Sequence, residues 1–248
     1  EILSNDPKES TDKELAVAIV ALMPGKLNQV IGMVREAKFL ESDPEIMKFG
    51  PFSSPPTVAD LATLEFKGDE LKELSGLLKA EPGSDYNLSQ EEIAGFEKLR
   101  KELGRANPEK DPAAAKAVLD AYRQMLVNRC LAYEKGGLKA IAPYQRKKNE
   151  TTSPSDDLAK ALGSEDLEGP NISAFLKGLA NYPNDLPPKT ESSLIWLKQK
   201  VSDRPCVILA HRLINEREDG ALLSQRQIFV GHNYNSLQVL VGCLPVEN

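Results

Sequence analysis

The stretch Pro205-Cys206-Val207-Ile208-Leu209-Ala210-His211-Arg212-Leu213-Ile214 decides the fold. It is a run of strand length, rich in apolar and β-branched residues, and turn signals bound it. A polar turn follows, Asn215-Glu216-Arg217-Glu218-Asp219-Gly220, and then further runs over 221–230 and 236–244. Three strands in succession over 204–245 predict an antiparallel meander. Such a sheet with one apolar face cannot stand alone in water. The upstream residues must therefore supply helices that cover that face. The expected architecture is α+β, a single domain over residues 1–248 with a mostly helical N-terminal part.

Helix signals upstream agree. Ser89 with Glu92 forms a capping box that opens a helix running to Leu103. Asp111 with Pro112 opens a long helix whose apolar stripe is Val118, Leu119, Tyr122, Met125, Leu126, Cys130 and Tyr133, and Gly136-Gly137 ends it. An amphipathic helix is expected over 27–39, a helix capped by Asp69 over 70–78, and short helices over 158–162 and 172–179. Short strands are expected over 44–49 and 61–66. Residues 15–22 carry conflicting signals. Thr11 and Glu14 favour a helix, whereas β-branched content and the Pro24-Gly25 stop favour a buried strand, which is the reading taken. Residues 149–157 read as a polar linker and mobile loop, and Gln145-Arg146-Lys147-Lys148 as a solvated loop.

Size and charge exclude several classes. A chain of 248 residues buries roughly 70–75% of its unfolded surface and needs no disulfide or metal to fold. A net charge of −6 argues against a nucleic-acid or anionic-membrane surface. No run approaches the ~18 consecutive apolar residues that a transmembrane helix needs. Three cysteines, Cys130, Cys206 and Cys243, read as small buried apolar residues. Their spacing fits no metal site, and no cofactor motif is present. The polar opening Asn5-Asp6-Pro7-Lys8-Glu9-Ser10 suits a mature N-terminus and favours export.

The C-terminal block holds both histidines and most of the unusual polar side chains. Alternation places Val207, Leu209, His211 and Leu213 on one face, and Ile208, Ala210, Arg212 and Ile214 on the other. His211 in an apolar row is either a proton carrier in a pocket or a hydrogen-bonded core residue. His232 lies in the turn Gly231-His232-Asn233-Tyr234-Asn235. Candidate ligand-binding residues are His211, Arg212, His232, Tyr234, Asn235 and Gln238. No triad, phosphate loop or metal helix is legible, so no catalytic residue is assigned.

Several segments together resemble a family of predicted exported bacterial proteins with no established activity. They are residues 49–56 (Phe-Gly-Pro-Phe-Ser-Ser-Pro-Pro) with Asp60-Leu61, Tyr133-Glu134-Lys135-Gly136-Gly137-Leu138 with Tyr144, and Ser193-Leu194-Ile195-Trp196-Leu197-Lys198. To these are added the first strand through Arg212 and Gln227-Ile228-Phe229-Val230-Gly231-His232-Asn233-Tyr234-Asn235. The resemblance implies export and supplies no site residues. The chain departs from it in lacking cysteine over 78–85 and in stopping soon after the third strand.

The expected function is that of an exported, non-enzymatic binding protein. An apolar pocket between sheet and helices would hold a small apolar or lipid-like ligand, with His211, His232, Tyr234 and Asn235 at its mouth. The alternatives are a hydrolase using His211 or His232 as general base, and a structural or assembly factor of the cell envelope. Oligomeric state is not legible.

Overall fold

A computed structural model describes residues 2–5, 9, 11–163 and 170–246. The chain opens with β1 (Ile2–Asn5), β2 (Ala18–Ala21), α1 (Leu27–Arg35) and β3 (Ile46–Pro51). A helical layer follows: α2 (Leu71–Leu78), α3 (Gln90–Leu103) and α4 (Pro112–Gly136). Next come the small strands β4 (Tyr144–Gln145) and β5 (Thr151–Thr152), then α5 (Pro154–Gly163) and α6 (Pro170–Ala180). The chain closes with β6 (Thr190–Val201), β7 (Arg204–Arg217), β8 (Gly220–Val230) and β9 (Leu237–Cys243).

The C-terminal meander is present, and it is longer than the sequence reading had it. β6 precedes the three expected strands, and β3 joins its free edge to give an antiparallel sheet of order β3-β6-β7-β8-β9. Each strand from β6 to β9 pairs with the next, because short turns join them. The helical layer covers one face. Leu194, Trp196, Val207, Leu209 and Phe229 pack there against Leu74, Phe96, Val118, Leu126 and Tyr133 in one continuous core. Phe175 and Leu179 of α6 extend this cover over Leu213. Beyond that expectation, α1 and a 3₁₀ turn (Lys38–Ser42) lie on the opposite face, where Ile31 packs on Ile214 and Leu223, and Leu40 joins the cluster around Ile208 and Ala210.

The expected caps are in place. Ser89 accepts from the amide of Glu92, and the Glu92 carboxylate accepts from the amide of Ser89 at 2.7 Å. Asp111 accepts from the amides of Ala113 and Ala114 at the start of α4. Gly137 ends that helix with φ +59°, and a side chain there would collide with the Tyr182 carbonyl. The close approach brings Tyr182 against Tyr133, with ring centroids 5.0 Å apart.

Four local expectations fail. Residues 15–22 do hold a strand, but β2 pairs with β1 and its side chains are exposed rather than buried. Residues 61–66 are not a strand. The Asp60 carboxylate accepts from Ser53, from the Thr57 hydroxyl and from the Thr57 amide, which winds a 3₁₀ turn (Val58–Leu61). Asp69 is not a helix cap, since it lies inside a 3₁₀ turn (Gly68–Glu70) that precedes α2. Residues 149–157 are ordered, with Thr151 and Thr152 paired to Gln145 and Tyr144, and α5 starting at Pro154.

Candidate functional site

One residue of β8 sets the geometry around His211. The pairing runs Leu209 to Phe229 and then Ala210 to Gln227, so Ile228 is an extra residue bulged out of register. The bulge turns Arg226, rather than Gln227, onto the helix-covered face. His211, Arg226 and Gln238 then stand side by side on β7, β8 and β9.

These three side chains belong to a buried polar chain. The Arg226 Nε donates to Gln238 Oε1 at 2.9 Å. Its Nη1 donates to the Leu179 carbonyl at 2.9 Å and to the Tyr133 hydroxyl at 3.3 Å. Tyr133 Oη lies 2.9 Å from His211 Nδ1, and Ser192 Oγ lies 2.9 Å from His211 Nε2. His211 and Arg226 are both fully buried, whereas Ser192 is exposed on the part of β6 that extends past β3. The chain therefore runs from the surface at Ser192 inward to Arg226. Every named partner of Arg226 is neutral, and its Nη2 has no partner among the described residues.

Satisfying the Tyr133 proton assigns the imidazole tautomer. Arg226 can only donate to Tyr133 Oη, so among the described partners His211 Nδ1 is the acceptor for the Tyr133 hydroxyl proton. The His211 proton is then on Nε2, where it is donated to Ser192 Oγ. Burial, and then the nearby Arg226 charge, lower the His211 pKa to about 3. The ring is neutral at ordinary pH, and the nitrogen facing Ser192 already carries its proton.

The remaining candidates do not share this site. Arg212 lies on the opposite face, where its Nη2 donates to the carbonyls of Val34 and Arg35 and closes the C-terminus of α1. His232 sits in the turn after β8, with its two ring nitrogens facing the Asn233 side-chain oxygen and the Pro205 carbonyl. The cavity beside it, lined by Glu73, Tyr86 and Tyr122 among others, measures about 10 Å³, which is room for one water. Tyr234 donates to Gln227 Oε1 at 2.8 Å. Asn235 accepts from Arg146 and, through its carbonyl, from Tyr144. Gln238 belongs to the Arg226 chain. The six residues thus fall into three places and do not ring one mouth.

Asn87 and Arg146 hold the turn that carries three of them. Asn87 Nδ2 donates to the carbonyls of Val230 and Tyr234, while Arg146 Nη2 bonds the side-chain oxygens of Asn87 and Asn235. The expected solvated loop at 145–148 is corrected at its first two residues. Gln145 is buried, and Arg146 is tied into the core side of the turn.

A wider opening than the cavity beside His232 lies elsewhere, on the helical layer. A groove of about 520 Å³ runs between α3 and α4. Phe96, Ala121, Met125 and Ala132 supply apolar lining, and Ser89, Glu91, Gln124 and Asn128 supply polar groups. Glu92 and Arg129 also line it as a bidentate ion pair, with contacts of 2.7 and 2.6 Å. The Arg129 guanidinium lies 4.5 Å from the centroid of the Phe229 ring, which ties the groove wall to the sheet.

Among the described residues, no group of three or more His, Cys, Asp or Glu is placed to hold a metal. No described helix is long and apolar enough to cross a membrane. All three cysteines are free, and burial pushes the Cys206 thiol up to about 11. No family model, curated protein or solved structure matches this chain.

Proposed function

We propose that this chain is an exported, non-enzymatic binding protein that takes a small apolar or lipid-like ligand in the groove between α3 and α4. The groove carries the reading. Its 520 Å³ falls in the range of roughly 300–1,000 Å³ usual for small-molecule sites, and it combines apolar lining with a few polar groups. The ligand surface is placed on the helical layer because the cavity at the sheet near His232 holds only one water. Export rests on the resemblance to exported bacterial proteins, and fractionation of the source cells tests it.

Native mass spectrometry of gently purified protein tests the binding role. A retained small molecule is expected, and Ala132→Trp, which fills the groove from an exposed position, removes it. A bare protein mass, or an adduct that Ala132→Trp leaves in place, contradicts the reading.

One contact favours a second reading, a hydrolase with Ser192 as nucleophile and His211 as base. That contact is the 2.9 Å approach of Ser192 Oγ to His211 Nε2. The proton on Nε2 and the lowered pKa oppose it, since a base needs that nitrogen free. Labelling of Ser192 by a fluorophosphonate probe would reverse the order of the two readings.

A further inference from the structure

Two apolar surfaces among the described residues are left open to solvent. The first is residues 15–23, where Leu15, Val17, Ile19, Val20, Leu22 and Met23 are 56–86% exposed. The second is β9, which ends the sheet and leaves Leu237, Val239 and Val241 exposed beside an unpaired backbone edge. Monomeric proteins seldom leave such an edge uncovered, because it templates the addition of another strand.

The two surfaces match in pattern. In an extended chain Leu15, Val17 and Ile19 project to one side, and Ala16 and Ala18 to the other. β9 has a similar asymmetry. Leu237, Val239 and Val241 share the open face that carries α1, whereas Gln238 and Leu240 share the face approached by α5 and α6. A strand of residues 15–19 added to β9 places its large side chains on the open face and its alanines on the crowded one.

The chain's own strand does not occupy this edge. Residues 18–21 pair with β1 instead, in a two-strand ribbon that is marginal by itself in water. The placement of α1 explains why. Its last residue, Arg35, is anchored on Glu191 of β6, and Leu27 at its start packs on the cluster that includes Ala221, the partner of Cys243 on β9. Residues 15–23 therefore approach the sheet from the β9 side, at the C-terminal end of that strand. Folding back onto their own β9 would make them run parallel to it, the weaker pairing. A second copy is free to present the same strand antiparallel.

We propose that a second copy of this chain covers β9, with residues 15–19 of each copy adding antiparallel to β9 of the other. The exchange is two-fold symmetric and leaves no further edge open on β9.

Sedimentation velocity on the 248-residue chain across a wide concentration range tests the proposal. A dimer is expected. Ile19→Asp and Val239→Lys should each weaken self-association at least ~10-fold, since each puts a charge in the interface. Ile19 is exposed and outside the hydrophobic core, so that variant keeps its fold and its circular dichroism spectrum. A wild-type chain that stays monomeric throughout, or a dimer that either substitution leaves intact, overturns the proposal.

Discussion

His211 and Arg226 face each other directly on β7 and β8, both fully buried, with the Tyr133 hydroxyl hydrogen-bonded to each. Burial holds the imidazole neutral, and the guanidinium beside it adds to this because two positive charges in a low-dielectric site repel. The consequences are measurable.

Stability depends on pH through His211. Its folded pKa of about 3 lies below the ordinary value of ~6.5, so the unfolded chain binds a proton that the folded chain refuses. Above ~6.5 both states are neutral and nothing is lost. As pH falls from there toward 3 the unfolded state is increasingly favoured, by a few kcal/mol at most. Urea titrations at pH 7.5 and 4.5 measure the loss. Acidic groups titrate in the same window, so the informative quantity is the difference from His211→Gln, whose profile should be flatter.

Arg226→Met should cost about 1–3 kcal/mol. It removes a desolvated charge that has no carboxylate partner, but it leaves the buried Leu179 carbonyl and Gln238 Oε1 without their donor. Removing the positive neighbour should also move the His211 titration upward. Thermal melts and an NMR titration of the ring give the two readings.

Glu92 and Arg129 behave differently, since Arg129 is buried and Glu92 half-buried, with their charges 2.6 Å apart. Glu92→Ala leaves Arg129 unpaired and also removes the side chain that accepts from the Ser89 amide. A loss of about 3–5 kcal/mol is expected by chemical denaturation. Replacing both members together, with Glu92→Leu and Arg129→Met, should cost less than Glu92→Ala alone.

Asn87→Ala should loosen the turn after β8. Two carbonyls, of Val230 and Tyr234, lose their side-chain donor, and Arg146 loses one acceptor. The cost is about 2–6 kcal/mol, at roughly 1–3 kcal/mol for each of the two carbonyls left unsatisfied. Hydrogen exchange should quicken first at residues 231–236.

The sheet was legible because β7 to β9 are long apolar runs bounded by polar turns, and the caps at Ser89 and Asp111 act locally. Alternation also put His211 correctly among Leu209 and Leu213. Arg226 was missed for a specific reason. Counting back by twos from Phe229 puts Gln227 and Gln225 on the helix-covered face and Arg226 on the other. The bulge at Ile228 reverses this, and nothing in the local sequence marks it. Tyr133 read as part of an apolar stripe, which is true of its ring but silent about its hydroxyl. Ser192 precedes an apolar run, and only strand pairing brings it diagonal to His211. The exposed state of residues 15–23 was not legible either, since an apolar strand looks the same whether its cover comes from its own chain or from another.

The tautomer of His211 decides between a link in a buried polar chain and a base poised on Ser192. Long-range nitrogen–proton NMR on ¹⁵N-histidine protein at neutral pH reads the tautomer directly. A neutral ring with its proton on Nε2, unchanged down to pH 5, is the predicted result. A proton on Nδ1, or a ring that protonates near pH 6.5, would contradict the account and return His211 to the role of a general base.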